Sequence, residues 1–258
     1  MLNVNNISVI HNKRHLLRDV SFHANAGELL VVLGSNGAGK SSLLKCISKE
    51  WKPQQGDVSW NNISLSKWTD KSLAKVRAVL TQNYQISLPF GVEEIVMMGR
   101  YPHFKNSPSE LDRHTVQQCL RYTGIEHLQS RNYLTLSGGE QQRVQIARIL
   151  AQLWDGDANN KLMLLDEPVS ALDIQYQHSV MQLAKKLTLR GFTVVAVLHD
   201  LNLALQYADK VLMLKQGRQV AFGDLGVLNE HNIREVYEVD TEIIQHPDSK
   251  RKLVVVKM

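Results

Sequence analysis

Cysteine is nearly missing from this chain: 258 residues contain only Cys46 and Cys119, and no CxxC pair. That excludes a disulfide framework and makes both thiols reduced residues in or near the core. No window approaches the roughly 20 consecutive apolar residues that span a bilayer. The longest apolar runs, LLVVL at Leu29–Leu33 and VVAVL at Val194–Leu198, are strand-sized. The opening MLNVNNISVIHNKRHLL lacks the unbroken apolar centre of a secretion signal. A soluble chain kept in the cytoplasm is therefore expected. There is no internal repeat, no low-complexity tract and no sustained heptad pattern. Nor does one sign of charge dominate. The net charge of +5 is interspersed, and the densest basic patch, SKRK at Ser249–Lys252, reads as a solvated face rather than a nucleic-acid contact.

What is present suits one folded core. The length fits one domain, or a core with an inserted subdomain, and 43% hydrophobic residues can bury it. LNVNNISVI and LLRDVSFHA read as strands around a turn at HNKR, and ELLVVL as a buried strand running into Gly34. SSLLKCISK has helical spacing, PQQGDVSWNNISL reads as a turn and hairpin, and AVLTQ is a strand ending at Gln82. From Tyr84 to about Leu150 the segments are helix-like, an insertion within an α/β core. Strands and helices then alternate from KLMLLDEP through KVLMLKQG, which predicts a mainly parallel sheet. The tail from VYEVD onward suggests a hairpin turning at PDSK.

Gly34-Ser35-Asn36-Gly37-Ala38-Gly39-Lys40-Ser41 fits G-x-x-x-x-G-K-[ST] between a strand and a helix. Such a loop turns backbone N–H groups around phosphates at a helix N-terminus. Lys40 can reach the β- and γ-phosphates, and the Ser41 hydroxyl can ligate Mg²⁺. KLMLLDEP then delivers two carboxylates at the end of a strand buried on both faces. Asp166 suits the metal, and Glu167 is placed to act as general base on a water. An Asp-Glu pair capping the next helix is the rival reading, disfavoured because the phosphate loop demands a metal carboxylate. His199 and Gln82 each end a strand and could face the same phosphates. Spacing alone leaves a structural role open for both.

A second glycine-rich stretch, LSGGEQQR at Leu136–Arg143, opens a helix. Ser137 and Glu140 have capping-box spacing, and Gly138 and Gly139 leave N–H groups exposed to an oxyanion. A well-capped helix is the plain alternative. A helix terminus contributes about 0.3–1 kcal/mol to a nearby charge, and a charge-assisted hydrogen bond about 1.5–3 kcal/mol. Set against the cost of association, this stretch alone should capture ATP poorly. It could close over a γ-phosphate already held elsewhere.

LSGGEQQR, preceded by GSNGAGKS and followed by LLDEP, resembles the ATP-binding cassette (ABC) ATPases, in the family's order and over nearly the whole chain. The resemblance implies an α/β fold with a P-loop NTPase (RecA-like) core, an N-terminal antiparallel β subdomain and an inserted helical subdomain. The single domain would span 1–258, with 1–83 and 151–258 forming the core and 84–150 the helical part. It implies ATP hydrolysis with Mg²⁺ held by Ser41, Asp166 and Gln82, and a head-to-tail homodimer. In that dimer Ser137, Gly138, Gly139, Glu140 and Asp173 would meet the partner's ATP. Gln82 becomes the Q-loop glutamine, Ser170–Asp173 the D-loop, and His199 the switch histidine. Two departures stand out. Lys40-Ser41-Ser42 replaces the commoner Lys-Ser-Thr, and Ser42 can still donate a hydrogen bond. His11 falls near the position where the family stacks an aromatic on adenine, with a loop histidine as the rival and His15 as another candidate.

TQNYQISLPFGVEEIVMMGRYPHF is similar to the metal-chelate importer branch for siderophores, heme and vitamin B12. Its helices would receive a permease. The polar spacer DGDANN before KLMLL resembles the ATP-binding subunits of heme importers. The implied partners are a second copy, two transmembrane permease subunits and, indirectly, a periplasmic binding protein. The chain would sit at the cytoplasmic face of a bacterial inner membrane, with no nucleic acid. Two rivals fit less well. A nucleic-acid clamp lacks an aromatic and basic stripe, and a small-molecule kinase leaves LSGGE without a role.

Overall fold

The computed structural model describes residues 1–82, 86–170, 172–245, 247 and 251–257. Asn83 to Gln85, Ala171 of the Ser170–Asp173 segment, Ser249 and Lys250 of the basic patch, and the expected turn beyond Pro247 lie outside the described residues. The chain opens with β1 (Leu2–His11), β2 (Arg14–Ala24), β3 (Leu29–Gly34), α1 (Lys40–Ile47), β4 (Gln55–Trp60), β5 (Ile63–Ser64), α2 (Asp70–Ala74) and β6 (Arg77–Leu80). Three helices follow: α3 (Val92–Met98), α4 (Glu110–Tyr122) and α5 (Gly138–Leu153). Then come β7 (Leu162–Asp166), α6 (Ile174–Leu189), β8 (Thr193–Val197), α7 (Leu201–Tyr207), β9 (Lys210–Lys215) and β10 (Arg218–Gly223). The chain closes with α8 (Glu230–Tyr237), β11 (Thr241–Gln245) and β12 (Lys252–Val256).

Among the described residues ten strands form one sheet, ordered β5-β4-β1-β2-β10-β9-β3-β8-β7-β6. From β9 to β6 neighbouring strands are parallel, as the alternation of strands and helices requires. The N-terminal strands and β4–β5 pair antiparallel. β10 joins the two parts, antiparallel to β9 and touching β2 where Arg18 meets Arg218. The fold class read from the sequence is the one observed.

Side chains alternate across β3. Leu29, Val31 and Leu33 face a core shared with α3 to α6, whereas Leu30 and Val32 face one shared with α1 and the antiparallel strands. Burial on both faces is why LLVVL is continuously apolar. Each cysteine is buried, one in each core, and burial pushes the Cys46 thiol up to about 11. The tail differs from expectation. Val236 and Tyr237 belong to α8, not to the hairpin, because Asn229 caps that helix and Ile233 and Val236 bury one face of it.

The GRYPH phrase and the DGDANN spacer turn out to be fasteners. Arg100 is only 1% exposed. It donates from Nε to Asp112 Oδ1 at 2.9 Å, from one terminal nitrogen to Ala151 O at 2.8 Å, and from the other to Asp155. One guanidinium thus ties the end of α3 to the start of α4 and the end of α5. His103 adds Nε2 to Gln152 O at 2.8 Å. At the spacer's other end, Asn160 Oδ1 accepts from Trp60 Nε1 at 3.0 Å and Asn61 Nδ2 at 2.6 Å, holding the antiparallel hairpin to the core. Only Tyr101 of the phrase points outward, 61% exposed. Breaking a buried pair by removing one partner costs about 3–5 kcal/mol. Arg100→Ala should therefore lose stability of that order in urea unfolding, whereas Tyr101→Ala should stay within about 0.5 kcal/mol of the parent.

Candidate nucleotide site

The loop after β3 is shaped by its glycines. Gly39, at φ 102°, caps α1, and a Cβ there would lie 2.7 Å from Leu16 O. No side chain caps α1, so the N–H groups of its first turn remain for an anion. Lys40 folds back into the loop, donating from Nζ to Gly34 O at 2.7 Å and Ser35 O at 3.0 Å. Burial pulls its pKa below the usual lysine value, while the Glu167 and Asp166 carboxylates oppose that shift. A cavity of about 230 Å³ opens over the loop, lined by Leu16, Asn36 to Ser42 and Glu167.

The sheet order brings the remaining groups to this edge. β6, β7 and β8 are neighbours, so the residues just beyond their ends converge. Glu167 Oε2 accepts from Gln82 Nε2 at 2.6 Å, and Oε1 from His199 Nε2 at 2.7 Å. Glu167 itself takes a left-handed backbone, φ 50°, which a bulky side chain adopts only under constraint from its surroundings. Its carbonyl accepts from the Ser170 N–H at 3.2 Å and hydroxyl at 3.0 Å, closing the turn.

Asp166 sits one residue earlier and differs in character. Burial, and then the adjacent Glu167 carboxylate, hold its pKa above the usual carboxylate value, while a hydrogen bond with Ser41 works the other way. Its Oδ1 is buried with no hydrogen-bond partner among the described residues. An unpartnered carboxylate oxygen beside a serine hydroxyl is a donor set suited to a hard divalent cation. The Gln82 amide N–H is committed to Glu167, leaving its carbonyl as the group of the right sign for a cation.

The LSGGE residues lie apart from the cavity lining. Ser137 N–H donates to Glu140 Oε2 at 2.8 Å and Ser137 Oγ accepts from Glu140 N–H at 3.4 Å, the capping box expected from the spacing. Gly138 is open, whereas a Cβ on Gly139 would lie 2.4 Å from the Tyr176 ring. Asp173 caps α6, accepting from Tyr176 N–H at 3.0 Å. The N-termini of α5 and α6 are thus locked side by side, and Arg143 donates to Ser179 Oγ at 2.7 Å as a further tie. Gln142 Nε2 reaches Pro168 O at 2.8 Å, joining this pair to the turn that carries Glu167.

His11 sits elsewhere. Its ring stacks on Trp51, with centroids 5.3 Å apart and planes 10° from parallel, and Leu16 takes its place at the cavity. His15 lies opposite Ile10 in the first hairpin. Sequence reasoning missed Leu16, Gln142 and Tyr237, whose hydroxyl accepts from Gly34 N–H at 3.1 Å. Their partners are distant in sequence, and no local pattern marks them.

With this geometry established, comparison with known proteins is informative. The family model described as ABC transporter matches residues 17–170. The hemin import ATP-binding protein HmuV of Hahella chejuensis is 44% identical, over 97% of both chains. Its namesake from Gloeobacter violaceus is 43% identical, over 99% of this chain and 94% of its own. Among solved structures, one described as a metal-chelate type ABC transporter in an inward-facing conformation superposes with TM-score 0.86 at 29% identity, covering 100% of this chain and 97% of that one. A dimeric bacterial ABC transporter cassette gives 0.74 at 29%, over 87% and 99%. On matches of this extent and a phosphate site of this construction, the chain belongs to the ABC transporter family, as an ATP-binding and ATP-hydrolysing cassette.

Proposed function

We propose that this cassette is the energy-coupling subunit of a hemin importer, working as a head-to-tail homodimer beneath two permease subunits at the cytoplasmic face of the inner membrane. All of 1–258 acts as one domain, with 84–150 as its helical part. The observation that carries the reading is the Gln82–Glu167–His199 cluster beside the phosphate loop. Hemin as cargo is supported by the full-length likeness to hemin import proteins. Ferric siderophore or vitamin B12 are the alternatives within the same role. No described helix is long and apolar enough to cross a membrane, so transport requires other subunits. Leu88, Tyr101 and Leu111 of the helical part are each about 60% exposed, and a permease could cover them.

ATP would lie on the loop with its phosphates against the α1 N-terminus. Lys40 would leave the Gly34 and Ser35 carbonyls for the β- and γ-phosphates, and Ser35 to Ser42 would wrap them. Ser41, Asp166 and Gln82 would hold Mg²⁺, which when bound neutralises charge on the phosphate oxygens. Glu167 accepts one hydrogen bond on each oxygen and keeps a second lone pair on each. It can therefore take a proton from an attacking water without releasing Gln82 or His199. His199 holds that carboxylate and faces the developing charge. The partner's Ser137 to Glu140 and Asp173 would close the site. Hydrolysis removes the bridging contacts, and the difference in affinity between closed and open dimers supplies the work.

General-base catalysis contributes typically about 10²–10⁴-fold. Glu167→Gln should lower steady ATP turnover at least a hundredfold and retain an ATP-bound dimer on size-exclusion chromatography; turnover at the parent rate refutes Glu167 as the base. Reconstituted with its permease, the cassette should hydrolyse ATP faster when a hemin-loaded binding protein is supplied, and not when ferric siderophore or cobalamin carriers replace it. Stimulation by DNA without any permease would instead favour a nucleic-acid clamp.

A further inference from the structure

The C-terminal segment makes two contacts that flank the phosphate site, one to the loop itself and one to the helix that follows His199. Pairing of β3 with β8 stops at Val32 and Val197, so the last N–H of β3 needs a partner off the sheet. Tyr237, the last residue of α8, supplies it, accepting from Gly34 N–H at 3.1 Å. β9 holds α8 in place for this contact. Lys215 Nζ donates to Glu235 O at 2.6 Å and to Glu238 at 2.8 Å, satisfying the helix's C-terminal end. Burial pushes the Tyr237 hydroxyl up to about 12, which keeps it neutral.

The other contact lies across the site. α7 has seven residues, too few for a stable helix by itself, and starts two residues after His199. Asn202 in its first turn pairs with the backbone of β12 in both senses. Val254 N–H donates to Asn202 Oδ1 at 2.8 Å, and Asn202 Nδ2 donates to Val254 O at 3.2 Å. β12 is paired with β11, which meets α8 where Ile243 N–H donates to Glu230. An unbroken path therefore runs from the first residue of the phosphate loop, through α8 and the hairpin, to the helix behind His199.

We propose that the C-terminal segment sets the phosphate loop against the His199 turn, with Tyr237 as the positioning residue for the loop. This rests on the loop being the ATP site. Removing only the hydroxyl keeps the ring's packing and leaves Gly34 N–H without its acceptor, so the effect should fall on nucleotide affinity. An anchor for α8 alone would lower stability instead.

The test is ATP binding by the full chain, read by displacement of a fluorescent ATP analogue, alongside thermal unfolding. Tyr237→Phe should weaken ATP binding about three- to tenfold, the size of one lost hydrogen bond. Val236→Ala, which truncates a side chain 1% exposed in the same helix, should lower the melting temperature at least as much and keep ATP affinity within twofold. Parent-like affinity in Tyr237→Phe, or an equal loss in Val236→Ala, overturns the proposal. Lys40→Ala separates the two levels: if it still binds ATP normally, the assignment of the site fails rather than the bracket. Should Tyr237→Phe not fold, hydrogen exchange in the parent protein decides. A Gly34 amide exchanging in step with α8 supports the bracket, and one exchanging faster than α8 rules it out.

Discussion

Parallel strands paired in register must finish at one edge, and whatever follows them is forced into one neighbourhood. In this chain that constraint acts on β3, β8, β7 and β6. Gly34 ends the first, His199 and Asp166–Glu167 follow or end the next two, and Gln82 lies two residues past the last. The strands hold their register because both faces are packed with leucine and valine, and a slip of one residue would turn every side chain to the wrong face. Packing far from the phosphate loop thereby fixes the distances between the groups gathered at this edge.

The edge concentrates charge at some cost. Two adjacent carboxylates lie near a buried ammonium, yet none of the three is hydrogen-bonded to another. Lys40 turns to backbone carbonyls, Glu167 accepts one hydrogen bond on each oxygen, and Asp166 keeps one buried oxygen unpartnered. Buried polar groups without partners are rare and ask for an explanation. A cation would resolve this one. The left-handed backbone at Glu167 fits the same pattern, since strain of that kind persists where the surroundings over-determine a residue.

Much of this was legible in the sequence because its signals are local. The phosphate loop, the carboxylates closing an apolar strand, and the serine–glutamate cap are each contained in a stretch of eight residues or fewer. Gln82 and His199 could be placed because each follows the end of a strand. The rest depends on long-range contacts. The ring partner of His11 is Trp51, forty positions on, and the acceptor for Gly34 is Tyr237, two hundred positions on. GRYPH and DGDANN carry no local sign that they touch, yet Arg100 and Asp155 meet at the end of α5. α8 did carry a local signal, Asn229 followed by Ile233 and Val236, but the alternation further along the tail masked it.

Helix α5, which the LSGGE stretch opens, is fastened at both ends by different means. At its N-terminus a bare glycine backbone lies under Tyr176, and at its C-terminus a buried guanidinium grips Ala151. The whole helix has sixteen residues, a rod of about 24 Å at the helical rise. A rod clamped at both tips cannot flex locally to absorb a push. On the proposed function, a push on α3 and α4 would travel along this rod to Gly138 and Gly139 at its far tip.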